Sequence, residues 1–397
     1  MGKEIFHRED KHMIELRTAR PEEFASIIEM LNVVFFTEDD PAEKRDFMRL
    51  LPKLYKEQYT PWDNNYCVFE DGRPVAAIGM YTSELNIAGH ALKLGGIGNV
   101  GVSPDCRGKG YMKLGMNAAV QAMRDQGCHL GELSGDRHRY RHYGFEHAGV
   151  HIKASFSMTN VKHSFGEDEL AEGWVARPIQ AEDIPQVQAM IEAETLHVKH
   201  DSAALLDILS SWREQPWALW CGDKLAGRFN LNWNSTQALQ VQLAPWVDSL
   251  EQPLRAILAL LPDKSSVSVS IPLWRQDLLA LAEPVTESRG MFSSGQYNVL
   301  CWETVLRALL DLQAQCKTLL DGELTVKIQG FAGDETLRIA VQNGVPSVSV
   351  YDGTPDKTMD HFDATSYFLG LVSPERTCPV AENWFPLPMW LWSFDTV

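Results

Sequence analysis

The sequence predicts a mixed α/β (α+β) chain in which one strand–helix–hairpin plan occurs twice in tandem, followed by a third α/β domain. The first observation behind this is a pair of matching openings. Ile14-Glu15-Leu16-Arg17-Thr18-Ala19-Arg20-Pro21-Glu22-Glu23-Phe24 reads as a short strand, a polar turn and an acidic helix start, and Trp174-Val175-Ala176-Arg177-Pro178-Ile179-Gln180-Ala181-Glu182-Asp183-Ile184 repeats the order. The second is a hairpin further along each copy, Tyr66 to Ile78 and Trp217 to Gly227, with Asp and Gly at the turn between apolar strands. The third is a change of pattern near Gly290, where a helical period gives way to alternating strands. At about 150 residues per domain, 397 residues make two or three domains. The expected divisions are 1–155, 156–289 and 290–397.

Each element has a local cause. Glu22 and Glu23, like Glu182 and Asp183, sit in the first turn of a helix, where carboxylates oppose the positive end of the helix dipole. Val100 to Met116 runs from a strand through a glycine-bearing loop into a helix, and His129 to Ser134 reads as the next strand. Val299 to Leu320 reads as a helix, with Leu306, Leu309, Leu310 and Gln313 at three- and four-residue spacing. Strands are expected at Leu324–Ile328, Leu337–Val341 and Val345–Tyr351. The chain then ends on an aromatic, proline-punctuated tail from Trp384 to Val397. Most chain ends are polar and frayed, so this one is expected to be buried.

Composition bounds the function. Apolar residues make up 45% and charged residues 22%, enough for several hydrophobic cores. With 36 Lys and Arg against 53 Asp and Glu, the net charge of −17 repels nucleic acid and anionic membrane and attracts cationic substrates such as amines. The 7 cysteines are scattered and never in C-x-x-C spacing, which suits reduced thiols in a cytoplasm better than disulfides or a zinc site. Met1 to Met13 lacks the apolar run and small-residue cleavage site of a signal peptide, and no stretch reaches the ~18 apolar residues of a membrane helix. The expectation is a cytoplasmic protein. His138, His142, His147 and His151 are read as pocket lining or surface, and no metal is expected.

The chemistry-bearing segment is Val100-Gly101-Val102-Ser103-Pro104-Asp105-Cys106-Arg107-Gly108-Lys109-Gly110-Tyr111-Met112-Lys113. A glycine-rich turn opening a helix gathers unpaired N–H groups at the positive end of the dipole, a ready pyrophosphate cradle. Neither G-x-x-x-x-G-K-[ST] nor G-x-G-x-x-G is present, which argues against a P-loop and a dinucleotide fold. At these residues the chain resembles the GNAT N-acetyltransferases, whose acetyl-CoA loop follows Q/R-x-x-G-x-G/A after a strand and Val-x-Pro. Arg107-Gly108-Lys109-Gly110-Tyr111-Met112 matches the Arg and the central Gly, with Met112 where many members carry Gly or Ala. Gly135-Asp136-Arg137-His138-Arg139-Tyr140-Arg141-His142-Tyr143-Gly144-Phe145-Glu146 resembles the GNAT element in which a short helix leads to an aromatic residue, a Gly and a bulky residue. The resemblance implies that acetyl-CoA contacts Val100, Gly101, Val102, Arg107, Gly108, Lys109, Gly110, Tyr111, Met112, Lys113, Gly135 and Asp136. It also implies that the pantetheine arm lies where two strands splay apart.

The whole plan resembles the enhanced intracellular survival (Eis) family, in which tandem GNAT domains precede a domain similar to sterol carrier proteins. In the second copy the corresponding stretch, Val241 to Leu254, has no glycine, so only the first copy is expected to bind CoA. The resemblance implies direct transfer of acetyl from acetyl-CoA to an amine acceptor, an aminoglycoside, polyamine or lysine-like amine, with a tyrosine as acid and the chain's own terminal carboxylate as base. Carried onto this sequence, these are Tyr140 and Val397. Tyr143 is the rival acid, three residues on. An α-carboxylate, ordinarily near about 3.3–3.7, is a poor base, but burial among Trp390, Trp392 and Phe394 would raise it. Phe36-Thr37-Glu38 resembles an Eis element with an acidic substrate contact, which makes Glu38 and Asp39 substrate candidates; a solvated helix cap is the other reading. The resemblance further implies a homo-oligomer, a hexamer. Two competing functions stand beside this one: a lipid or sterol carrier working through the last domain, and a longer-chain acyltransferase.

Overall fold

The computed structural model describes residues 13–37 and 45–397. The first unit opens with β1 (Ile14–Thr18), α1 (Phe24–Phe35) and two single turns, α2 (Phe47–Leu50) and α3 (Pro52–Tyr55). It continues through β2 (Asn65–Glu70), β3 (Arg73–Ile87), β4 (His90–Val102), α4 (Tyr111–Asp125), β5 (Leu130–Leu133), α5 (Arg137–Tyr140) and β6 (Glu146–Ser157). After α6 (Met158–Phe165) the plan recurs in β7 (Trp174–Pro178), α7 (Ile184–Glu192), β8 (Leu196–Lys199), α8 (Ser202–Leu209), β9 (Glu214–Cys221) and β10 (Lys224–Asn232). It closes with β11 (Ala238–Leu243), α9 (Glu251–Leu258), β12 (Ser266–Pro272), α10 (Gln276–Ala282) and β13 (Ser288–Val299). The last part holds α11 (Trp302–Cys316), β14 (Gly322–Gln329), β15 (Asp334–Gln342), β16 (Val345–Val350), β17 (Lys357–Asp360), α12 (His361–Leu369) and α13 (Pro379–Trp384). The helix expected over 299–320 is α11, shorter at both ends because Val299 and Leu300 continue from β13.

The likeness of the two openings extends to topology. β1-β2-β3-β4 and β7-β9-β10-β11 are antiparallel ladders in the same order. Each also carries a bulge at the same place. Asn99 and Val100 on β4 oppose the single residue Ile78, and Gln240 and Val241 on β11 oppose Phe229, with Asn99 and Gln240 both at positive φ. A bulge of this kind bends its strand away from regular pairing.

The two units exchange strands. β13 lies between β5 and β6, and β6 lies between β13 and β12, so the sheet runs β5-β13-β6-β12 with strands of the two units alternating. The division expected at 155/156 falls inside β6, and that at 289/290 inside β13. The final sheet, β16-β15-β14-β17, packs through Val326, Ile328, Leu337 and Ile339 onto the apolar stripe of α11, which buries Val305, Leu306, Leu309 and Leu312.

The aromatic and apolar residues of the tail are buried, as its composition predicts, whereas Ser393 is exposed and Thr396 and Val397 are only half-buried, so the chain end itself is less enclosed than expected. Trp384, Leu387, Met389, Trp390, Leu391, Trp392 and Phe394 all belong to the core. It crosses the exchanged sheet where Met389 O accepts from Val150 N and Ser294 Oγ, each at 3.0 Å. Trp390, Trp392 and Phe394 then pack with Ile184, Trp220 and Leu225 of the second unit. Phe394 N donates to Gln240 Oε1, the side chain of the second bulge, at 3.2 Å. The second unit is thus the bed that carries the chain end back to the first.

Candidate active site

β4 and β5 run parallel but pair only from Leu94 with Leu130 to Ile97 with Leu133. Beyond Ile97 the bulge at Asn99 turns β4 away, and the backbone of the two strands parts. The fork opens a cavity of about 350 Å³, lined on β4 by Ile97 to Val100 and on the β5 side by Leu133 and Ser134. Tyr140 and Val397 line the same cavity. Of the expected cofactor contacts on β4, Val100 reaches it; Gly101 and Val102 stay in the ladder opposite Ala77 and Ala76.

The loop after β4 fits a pyrophosphate. Gly110 caps α4 at φ +83° with no side chain bonded to the first turn, and the first amides of a helix have no partner within it. Gly108 holds the same φ, and the space where a Cβ would stand is open at both glycines. The positive end of α4 therefore faces unobstructed space. Side chains of this loop divide in use. Lys109 Nζ and Tyr111 Oη bind Glu70 at 2.9 and 2.7 Å, which holds the Glu70 carboxyl below its ordinary range, while Arg107 and Lys113 are exposed. Met112 packs half-buried against the core around Ile78 and Met116, so its departure from the glycine pattern is absorbed inward. Gly115, one turn further, lets α4 lie on β3, since a Cβ there would overlap Ile78.

Tyr140 ends α5. Asp136 caps that short helix, accepting from His138 N at 2.9 Å, and the absence of a Cβ at Gly135 makes room for the Tyr140 ring. Glu146 at the start of β6 ties the turn down through Arg137, at 2.7 Å, and through Arg141. Burial pushes the Tyr140 hydroxyl above its ordinary value, opposed by Arg139, so at neutral pH it keeps its proton. Tyr143 is half-buried near Phe331, its carbonyl accepts from Asn298 Nδ2 at 3.0 Å, and it does not line the cavity.

The chain end is held by residues the sequence did not single out. Val397 N donates to Glu132 Oε1 on β5 at 2.9 Å, and Lys53 Nζ donates to Phe394 O at 3.1 Å and to Thr396 O. The side chain of Val397 fills the space that Cβ atoms at Gly96 and Gly98 would take. Burial raises Glu132 to about 8 and lowers Lys53 to about 8. The available signals were Gly95-Gly96 and Gly98 inside a strand and a carboxylate inside the apolar strand His129–Ser134. Neither says what it faces.

Glu38 and Asp39 lie outside the described residues. His138, His142 and His147 are exposed, whereas His151 is buried and lines a second cavity adjoining the first. In the second unit the stretch from β11 to α9 has no glycine, and a buried cluster fills the region: Glu194 Oε1 accepts from Gln242 Nε2 at 3.2 Å and from Arg275 Nη1 at 2.9 Å. Among the described residues no helix is long and apolar enough to cross a membrane.

A sequence family described as an acetyltransferase (GNAT) domain matches residues 15–148, the stretch that builds the fork, the loop and Tyr140. No curated protein matches the sequence. Solved structures similar over the whole chain include a GCN5-related N-acetyltransferase from Kribbella flavida (TM-score 0.66, 16% identity, 97% of this chain and 98% of that one). A protein of unknown function from Enterococcus faecalis, described as a probable N-acyltransferase, is similar with TM-score 0.67 and 15% identity over 96% of this chain and 99% of that one. Eis1 from Mycobacterium abscessus is similar with TM-score 0.59 and 15% identity over 97% of each chain. Residues 15–148 thus match a GNAT acetyltransferase domain, and the mixed α/β fold is shared over the whole chain with these structures.

Proposed function

We propose that the protein is an N-acetyltransferase that passes the acetyl group of acetyl-CoA directly to the amine of a small acceptor, with Tyr140 as general acid and the α-carboxylate of Val397 as general base. The observation that carries this reading is the meeting of Tyr140 and Val397 on the cavity at the β4–β5 fork. The first unit then acts as the catalytic unit, the second as a degenerate copy that beds the tail, and the part from α11 onward as the domain that delivers the terminal carboxylate.

The co-substrate supplies an acyl group activated as a thioester. The α4 amino end and the Gly108 to Gly110 backbone would hold its pyrophosphate, and the parted edge of β4 at Val100 would receive the pantetheine arm. An ammonium has no lone pair, so the Val397 carboxylate takes a proton from the acceptor nitrogen, directly or through water. As the N–C bond forms and the C–S bond breaks, the sulfur leaves with the bond's electron pair. Tyr140 Oη gives it a proton, and the second proton shed by the nitrogen as the amide forms returns to Tyr140 through water and restores the phenol. Because burial holds the phenol above its ordinary value and a thiol lies near about 8.5, the proton is shared with the developing thiolate in the transition state rather than given up beforehand.

Incubating the protein with acetyl-CoA and a panel of amines, with detection of released thiol and of acetylated amine, tests the reading. Amine-dependent release supports it. Thiol release indifferent to every amine, or tight binding of lipid with none of acetyl-CoA, would replace it.

A further inference from the structure

Trp212 and Arg213, in the turn between α8 and β9, both adopt left-handed backbone, at φ +62° and +65°. For residues with a Cβ this is costly, and it persists only where surrounding contacts over-determine it. Those contacts are present, and two of them reach into the first unit. Trp212 N donates to Leu50 O at 2.8 Å, Arg213 O accepts from Trp233 N at 2.9 Å, and the Arg213 guanidinium lies over the Phe36 ring at 5.4 Å. The turn of one unit is pinned onto the other.

What the strain achieves is the placement of one side chain. Trp212 stands on the wall of the cavity shared by Tyr140 and Val397 while remaining 39% exposed. Core packing does not account for a large aromatic left that open on a strained backbone. Two residues on, Glu214 lines the same cavity and the one adjoining it. Asn230 Nδ2, at 2.6 Å, and Gln240 Nε2 both donate to its Oε2, and Oε1 makes no hydrogen bond among the described residues. Glu214 is the one acidic side chain among the described residues lining this cavity; Phe35, Ile97, Val100 and Leu133 give it apolar walls.

We propose that Trp212 and Glu214 form the acceptor site, and that it takes a singly charged amine with an apolar body, an arylalkylamine or alkylamine. An ammonium is attracted both by the face of an indole and by a carboxylate in a partly desolvated site. The apolar body is left for Phe35, Ile97 and Leu133. Among the described residues lining this cavity no further carboxylate side chain meets a second charge, so a polycation would press its remaining charges against those apolar walls, a cost that disfavours polyamines and aminoglycosides. The proposal deepens the acetyltransferase reading and rests on it for the use made of the cavity.

Direct binding separates the two. Phenethylamine, spermidine and kanamycin are titrated into the full-length protein by calorimetry, and into Trp212→Ala, Trp212→Phe and Glu214→Gln, with thermal melting confirming that each variant is folded. Phenethylamine is expected to bind the parent protein at least about tenfold tighter than either polycation. Trp212→Ala and Glu214→Gln each weaken it about tenfold or more, near 1.4 kcal/mol, while Trp212→Phe stays within about threefold. Unchanged affinity in Trp212→Ala, failure of phenethylamine to bind, or tighter binding of a polycation overturns the proposal. Trp212-dependent binding without acetylation leaves this site standing and removes acetyl transfer; acetylation of spermidine or kanamycin alone keeps the transferase and removes this site.

Discussion

The backbone N–H of Val397 donates to Glu132 Oε1 across 2.9 Å, so the last peptide group of the chain is bonded to the strand that forms one arm of the β4–β5 fork. Lys53 Nζ closes the clamp from α3 by donating to Phe394 O and Thr396 O. Glu132→Ala leaves that N–H without its acceptor; kcat is expected to fall about 10- to 100-fold with acetyl-CoA affinity unchanged, whereas Glu132→Gln, which keeps an oxygen acceptor, stays within a few fold. Stability carries a second signature. A carboxyl raised from 4.5 to about 8 on folding binds more protons in the folded state between those values, so its contribution is present at pH 4.5 and is lost as pH rises towards 8. Lys53, lowered from 10.5 to about 8, acts only above that window. Melting curves from pH 5 to 8 should show the parent protein losing ground to Glu132→Gln as pH rises; parallel curves would place Glu132 in the ordinary carboxylate range.

Gly110→Asp puts a Cβ and a negative charge at the mouth of the α4 amino end, on a backbone of φ +83° that disfavours side chains. Acetyl-CoA affinity should drop at least about tenfold, or 1.4 kcal/mol, by calorimetry. The corresponding change at Trp246 in the second unit, which is exposed, should leave affinity as it was. Equal affinities in all three proteins would remove the loop from the site.

Tyr140→Phe keeps the buried ring and removes the proton donor. kcat is expected to fall by roughly 10² to 10⁴ with acetyl-CoA affinity preserved, while Tyr143→Phe, off the cavity, changes kcat little. The reverse ranking in steady-state kinetics would transfer the acid role to Tyr143.

The terminal carboxylate is tested by position. Two alanines added after Val397 leave an amide where the base stood, and deletion of Val397 sets the carboxylate back by up to about 3.5 Å. Gly98→Ala approaches the same site from the other side, because the new Cβ would overlap Val397 Cγ1. All three should lose activity steeply while acetyl-CoA still binds, and the first two should melt near the parent temperature because Trp390, Trp392 and Phe394 remain buried. An extended protein, with the two alanines added, as active as the parent would send the base role to Glu132 or Glu214.

The chain's own pattern determined the repeat, the hairpins, the glycine loop and the burial of the tail, because each follows from interactions within about a dozen residues. Acidic first turns, Asp71-Gly72 at positive φ, and the three- and four-residue apolar spacing of α11 are local statements, and local chemistry writes them directly. The tertiary structure decided what lay between distant segments. β13 inserted between β5 and β6 depends on hydrogen-bonding edges supplied by 130–133 and 146–157, which no pattern within 288–299 encodes. Likewise Glu132, Lys53 and Gly98 become a socket only once the bend of β4, the exchanged sheet and the bed of the second unit bring Val397 to them. A buried carboxylate reads the same in sequence whether it faces a partner or a void; its role is fixed by a neighbour 265 residues away.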